Sequence, residues 1–208
     1  MENLLMNNLV AHYNIPTPNT TNWFIETNET YFEIEDTNAG EIVLHTTRGF
    51  GMCKFSNRDV LDVTVVNYDK FITSIQDERF KNNRKRCDIL LYTNSDRYLI
   101  LGEIKDRILQ NNKSESKVRS GAKKQLLSSL QTILIVPEIN AYITRKAVKR
   151  CCYFNKQSTS PITLNATTAF NRLPSIYPEG FHMSKPDIEA FGFEFYEYTG
   201  EQTMILTN

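Results

Sequence analysis

Cysteine is scarce in this 208-residue chain: Cys53, Cys87, Cys151 and Cys152, with no Cys-x-x-Cys spacing among them. Neither a zinc site nor a disulfide framework is indicated, and buried free thiols are the expected state. Histidine is scarcer still. His12, His45 and His182 lie far apart, and none has a second His or Cys at ligand spacing, which argues against a histidine metal centre. Glycine-rich phosphate loops are missing, because Gly49-Phe50-Gly51 lacks the helix and lysine that a nucleotide site needs. No Gly-x-Ser-x-Gly elbow occurs. No apolar run approaches membrane-spanning length. The start, Met1-Glu2-Asn3-Leu4-Leu5-Met6, has neither the basic region nor the long apolar stretch of a signal peptide. Asn-x-Ser/Thr triplets, as at Asn19 and Asn28, are chance occurrences in an Asn-rich chain. No internal repeat appears. These absences lead to the expectation of a soluble cytoplasmic protein with no membrane partner.

What is present is a core and a divided charge. Hydrophobic residues make up 40% of the chain and twelve are phenylalanine, enough for one domain, or one with an appended subdomain. Net charge is zero, yet residues 79–124 carry thirteen Lys/Arg against five Asp/Glu, and residues 141–156 carry five Lys/Arg and no acid. The remainder is correspondingly acidic. Such runs usually mark solvated faces. Here they flank the stretch with the most unusual chemistry, and a basic surface there suits a polyanionic partner.

That stretch is Arg86-Cys87-Asp88-Ile89-Leu90-Leu91-Tyr92, then Tyr98-Leu99-Ile100-Leu101-Gly102-Glu103-Ile104-Lys105. Two apolar runs in succession predict neighbouring buried strands. Asn94-Ser95-Asp96-Arg97 between them are turn formers. If that loop closes a hairpin, Thr93 faces Tyr98 and Asp88 faces Glu103. Side chains alternate along a strand, so Leu99, Leu101, Glu103 and Lys105 share one face. A plain reading makes Glu103 and Lys105 a surface ion pair, but a solvated face does not begin with two leucines. Two opposed carboxylates repel unless a cation lies between them, and Mg²⁺ favours such oxygen ligands. Lys105 would stand beside that cation, and the assembly suits phosphodiester hydrolysis.

Asp88, a fourteen-residue spacer and Glu103-Ile104-Lys105 resemble the PD-(D/E)XK nuclease superfamily, with Cys87 where the family name has proline. The resemblance covers residues 70–155. It implies an α/β (α+β) fold with a restriction-endonuclease-like αβββαβ core, a mixed β-sheet flanked by helices, plus a β-rich N-terminal extension. It implies a Mg²⁺-dependent (or Mn²⁺-dependent) nuclease in which Asp88, Glu103 and the carbonyl of Ile104 hold the metal and Lys105 positions water. An acid from the preceding helix would approach the metal: Glu78 first, then Asp77, then Asp69. Gln125 or Lys124 would reach the site from the following helix. The implied partner is nucleic acid, DNA before RNA, with a partner protein or a second copy of the chain as further expectations and an antiviral defence system as a setting. The alternative is an inactive nuclease-fold subunit serving nucleic-acid binding or assembly.

Organisation along the chain is read coarsely. Residues 1–66 form a β-rich part packed on a core spanning 67–208. Residues 1–20 read as a short helix or arm followed by a loop. Thr30–Asp36 and Glu41–Thr46 read as strands around Thr37-Asn38-Ala39-Gly40, with further strands over Gly51–Phe55 and Val60–Val66. Tyr68–Phe80 and 116–134 have helical periodicity, the latter from Val118, Ala122, Leu126, Leu130 and Ile133, with Pro137 as a stop. Residues 141–154 read as a strand, 165–177 as a helix, and Gly192–Tyr198 with Thr203–Leu206 as a terminal hairpin.

Overall fold

Aliphatic residues on both faces make Ile89–Thr93 and Tyr98–Ile108 central strands. In the computed structural model they pair antiparallel with Tyr92 opposite Leu99 and Ile89 opposite Gly102, the register the turn predicts. The structure describes residues 1–16, 18, 23–75, 77–80, 85–108, 112–156, 179–200 and 202–208.

In chain order the elements begin with α1, π-type over Leu4–Leu9 and α-helical over Val10–His12. There follow β1 (Phe24–Thr27), β2 (Tyr31–Asp36), β3 (Ile42–His45), β4 (Cys53–Asn57), β5 (Val63–Asn67) and α2 (Tyr68–Ser74). The hairpin strands are β6 (Ile89–Thr93) and β7 (Tyr98–Ile108). Next come α3 (Asn112–Leu134), α4 (Pro137–Thr144), β8 (Val148–Lys156), β9 (Phe181–His182), α5 (Pro186–Glu189), β10 (Glu194–Thr199) and β11 (Thr203–Leu206).

The fold is mixed α/β, with two mixed sheets flanked by a few helices. One sheet has seven strands in the order β1-β5-β6-β7-β8-β10-β9, and the other has four in the order β11-β4-β2-β3. Strands β7, β8 and β10 run parallel, and β5, β6 and β7 alternate. The α3 stripe Ala122, Leu126, Leu130 and Ile133 is fully buried against Leu90, Leu99, Leu101 and Cys151 on one face of the large sheet. On the other face, Ile89, Ile100, Ile104 and Phe154 meet Phe32, Ile34, Phe55 and Met204 from the small sheet. All four cysteines are buried and free. No single helix among the described residues is long and apolar enough to cross a membrane.

Position 66/67 is not a sheet boundary. Strands β1 and β5 belong to the large sheet, and β11 completes the small one. The expected terminal hairpin is absent. Strand β10 pairs with β8 and β9, whereas β11 pairs parallel with β4. Gly200, at φ 60°, turns the chain from one sheet to the other, with its N–H on the Asn155 carbonyl. Met204 and Leu206 are thereby placed in the layer between the sheets. Residues 141–143 are helical, not extended. Pro137 stands in the first turn of α4, where its missing N–H costs nothing, and Ile139 and Ile143, one turn apart, are both buried. Helix α2 stops at Ser74, six residues before Phe80, because Ile75 is extended. The helix expected over 165–177 lies outside the described residues.

The β2 strand carries a buried carboxylate of its own. Glu33 accepts hydrogen bonds from the N–H groups of Gly49, Phe50 (2.9 Å) and Gly51 (2.7 Å) and from the Tyr31 hydroxyl. Those donors outweigh its burial and hold its pKa below the ordinary value.

Candidate active site

Three backbone contacts fix Asp88. Its N–H donates to the Gly102 carbonyl at 3.1 Å, and its own carbonyl accepts from Tyr68 and Asp69 at 3.0 and 3.3 Å. Tyr68 and Asp69 are the first residues of α2, whose unpaired N–H groups need such acceptors. Asn67 caps that helix, accepting from the Lys70 N–H at 3.1 Å, and donates to the Gly40 carbonyl at 3.2 Å. The tip of the β2–β3 hairpin is thus tied to the start of α2, and α2 to Asp88. From behind, α3 secures the approach. Ser129 Oγ accepts from the Cys87 N–H, and Gln125 Nε2 donates to the Arg86 carbonyl, each at 2.9 Å.

The side chains of Asp88, Glu103 and Lys105 come together where the start of β6 crosses the middle of β7. Asp88 Oδ2 accepts the Ile104 N–H at 2.6 Å and stands 4.0 Å from Lys105 Nζ. Lys105 pairs directly with Glu103 Oε1. Glu103 is fully buried, and its Oε2 receives no hydrogen bond. Gly102 makes the close crossing of β6 feasible: a Cβ there would lie 2.6 Å from Ile89 Cγ1.

Burial dominates the electrostatics. It pushes Glu103 up to about 9, helped by Asp88 and opposed by Lys105. It pushes Asp88 up to about 6, opposed by Lys105 and the Ile104 N–H. Burial alone would lower Lys105, but Glu103 and Asp88 outweigh it and hold the ammonium above its ordinary range. At neutral pH the pair of acids therefore retains a proton, and Lys105 balances the remaining negative charge.

Sequence candidates for the helix acid sort by position. Glu78 is exposed in the turn beyond α2, and Asp77 is bound to Arg79 at 2.8 Å. The helix acid whose charge reaches both Asp88 and Glu103 is Asp69, in the first turn of α2. Asp69 is held by Arg86. Gln125 reaches the backbone leading into Asp88, and Lys124 is exposed. The backbone N–H of Ile104 bonds Asp88, and its side chain lies between the sheets.

Sequence reasoning also passed over Asp36. It ends β2, and its charge acts on Asp88 and Lys105. Nothing in its spacing from Asp88 signals this, since it arrives from the other sheet.

Several basic residues expected to face a polyanion hold carboxylates instead. Arg119 grips buried Glu197 through two nitrogens, at 2.9 Å each, Lys123 pairs with Asp187, and Arg150 with Glu194. Lys146 is buried, donating to the Thr93 carbonyl at 2.8 Å. Lys85, Lys117 and Lys124 are exposed.

Two clustered acids, one with an unbonded buried oxygen, match the donor chemistry of a hard divalent cation. In this structure the cation beside them is the Lys105 ammonium. Among the described residues, no group of three or more His, Cys, Asp or Glu side chains is arranged to hold a metal ion. The chain matches no family model, no curated protein and no solved structure.

Proposed function

We propose that this protein is a divalent-cation-dependent nuclease that hydrolyses phosphodiester bonds, with DNA as the substrate class carried over from the resemblance. The observation that carries the reading is the meeting of Asp88, Glu103 and Lys105 on two central strands, with Glu103 wholly buried. A carboxylate in such a place is costly without compensation, and a structural role alone gives no reason to set a second one beside it. Topology adds support. Strands β5, β6 and β7 alternate, then α3 crosses to β8, parallel to β7. The run β6, β7, α3, β8 follows the order that the resemblance implies, whereas α2 falls between β5 and β6 and not ahead of all three strands.

In this reading Asp88 and Glu103 hold Mg²⁺ or Mn²⁺. The cation supplies charge neutralisation to a phosphate and acidifies bound water. Lys105 offsets negative charge developing on the phosphoryl oxygens. The Ile104 N–H holds Asp88 in one orientation, and Ser129 and Gln125 keep the entering backbone still.

A second reading has its own observation. Lys105 rests on Glu103, so the acids are already neutralised from within. A nuclease-fold subunit that binds partners without turnover would look the same. Cleavage assays separate the two. Purified protein is incubated with plasmid, single-stranded DNA and RNA in Mg²⁺ or Mn²⁺. The nuclease reading expects cleavage that EDTA abolishes and that falls at least about a hundredfold in Glu103→Ala and Lys105→Ala. Full activity in both variants, or none in the wild type with any substrate and metal, rejects it.

A further inference from the structure

Strand β8 extends the polar cluster on the α3 face of the large sheet. Leu99 and Leu101 of β7 and Cys151 and Tyr153 of β8 are buried in the core under α3. Side chains alternate along a strand, so Lys105 and Asn155 continue that same face. The two are register partners in the parallel β7–β8 pair, as Glu103 and Tyr153 are. Asn155 therefore flanks Lys105 from β8, and Asp88 flanks it from β6.

Asn155 is buried, and its Nδ2 donates to Glu197 Oε1 at 3.1 Å. Glu197 is itself gripped by Arg119. A carboxylate only accepts, so the amide nitrogen must be the atom that faces Glu197. Glu197 belongs to β10, on the far side of β8 from β7. The amide is planar, so its oxygen is turned away from Glu197. Among the described residues no donor reaches Oδ1. Lys105 has three N–H groups: Glu103 takes one, and Asp88, at 4.0 Å, is beyond hydrogen-bond reach. An acceptor without a donor thus stands one strand away from an ammonium with donors to spare.

A divalent cation between Asp88 and Glu103 would occupy the side of β7 on which the ammonium now lies. The lysine's four-carbon stem lets its ammonium move without the backbone moving. We propose that Asn155 is a positioning residue whose Oδ1 receives the Lys105 ammonium when a divalent cation engages Glu103. Arg119 and Glu197 hold the amide in the orientation this needs. This inference rests on the metal-dependent reading above.

The test is calorimetric titration of the intact protein with Mn²⁺ alone, without nucleic acid. Asn155→Ala should weaken Mn²⁺ binding about tenfold, the usual size of a coupling between linked sites. In a Lys105→Gln background, Asn155→Ala should change affinity by less than about twofold, because the ammonium it serves is gone. A second measurement needs no substitution at Asn155. In ¹⁵N–¹H spectra, Mg²⁺ should shift the Asn155 side-chain amide signal in wild type and not in Lys105→Gln. Three results overturn the inference while leaving the metal reading intact. One is wild-type affinity in Asn155→Ala. Another is an equal loss in both backgrounds, which would make the role of Asn155 purely structural. The third is an amide signal that responds to Mg²⁺ identically with and without Lys105. Absence of Mn²⁺ binding by the wild type removes both.

Discussion

Replacing Glu103 by glutamine should stabilise this protein, and increasingly so as pH rises. An ordinary glutamate titrates near 4.5, but burial holds Glu103 near 9. Below the lower value, folded and unfolded chains both keep the proton. Between the two values only the folded chain keeps it, so wild-type stability falls as pH rises through that window. Glutamine has the same shape and no proton to lose. Each pH unit is worth up to about 1.4 kcal/mol, so the variant should gain up to about 3 kcal/mol on wild type between pH 5 and pH 7. For a chain of this size that moves the difference in Tm by about 6–12 °C. The assay is thermal unfolding followed by circular dichroism at pH 5, 6, 7 and 8 in EDTA. Lys105 contacts Glu103 while that side chain is neutral over this range, and glutamine keeps an acceptor for it, so the slope is the quantity to read. A difference in Tm that stays flat from pH 5 to pH 8 would refute the assignment of a buried, protonated Glu103.

Other positions make separate demands. Ser129→Ala leaves the buried Cys87 N–H without its acceptor and should lower stability by about 1–3 kcal/mol in urea titration. It should also reduce cleavage, since Cys87 leads into Asp88. Gly102→Ala pushes a methyl into Ile89, 2.6 Å away, and toward Phe154 at 3.2 Å, both in the tightly filled inter-sheet layer. Chemical denaturation should register a loss of about 1–3 kcal/mol. Glu33→Gln replaces an acceptor of three loop N–H groups with one that also brings its own donors. A loss of about 1–3 kcal/mol is expected. Because Glu33 is depressed, its contribution is present above pH 4.5 and lost as pH falls through its folded value. Wild type and variant should therefore converge in acid.

The parts of the fold that could be read from the chain are those fixed by local periodicity. A turn between two apolar runs sets the Asp88–Glu103 register, because strand pairing across a short loop has one degree of freedom. Thr37-Asn38-Ala39-Gly40 similarly sets β2 against β3, with Gly40 at φ 71°. The α3 stripe is legible because its partner surface is continuous. What escaped was decided at a distance. Thr199 and Thr203 look like hairpin neighbours, but each strand had a better-matched partner already in place, β8 for one and β4 for the other. Ala141-Tyr142-Ile143 reads as a strand in isolation; the burial of Ile139 with Ile143 makes it a helix. Among the helix acids, the sequence reading ranks Glu78 first and Asp69 third. The short α2 leaves Glu78 in a turn and presents Asp69 instead. Asp36 illustrates the limit: its relation to Lys105 exists only once one sheet lies on the other.

Strand β11 has a consequence for the order of assembly. Thr203 pairs with Lys54 and Leu206 with Asn57, so the layer carrying Asp36 is completed by residues synthesised long after its other three strands. A ribosome-bound chain that has emerged only as far as β10 holds the hairpin bearing Asp88 and Glu103, while β4 shows a bare, adhesive edge. Final folding of that layer must wait for residues 203–206, and a break in the chain ahead of them would leave an aggregation-prone intermediate.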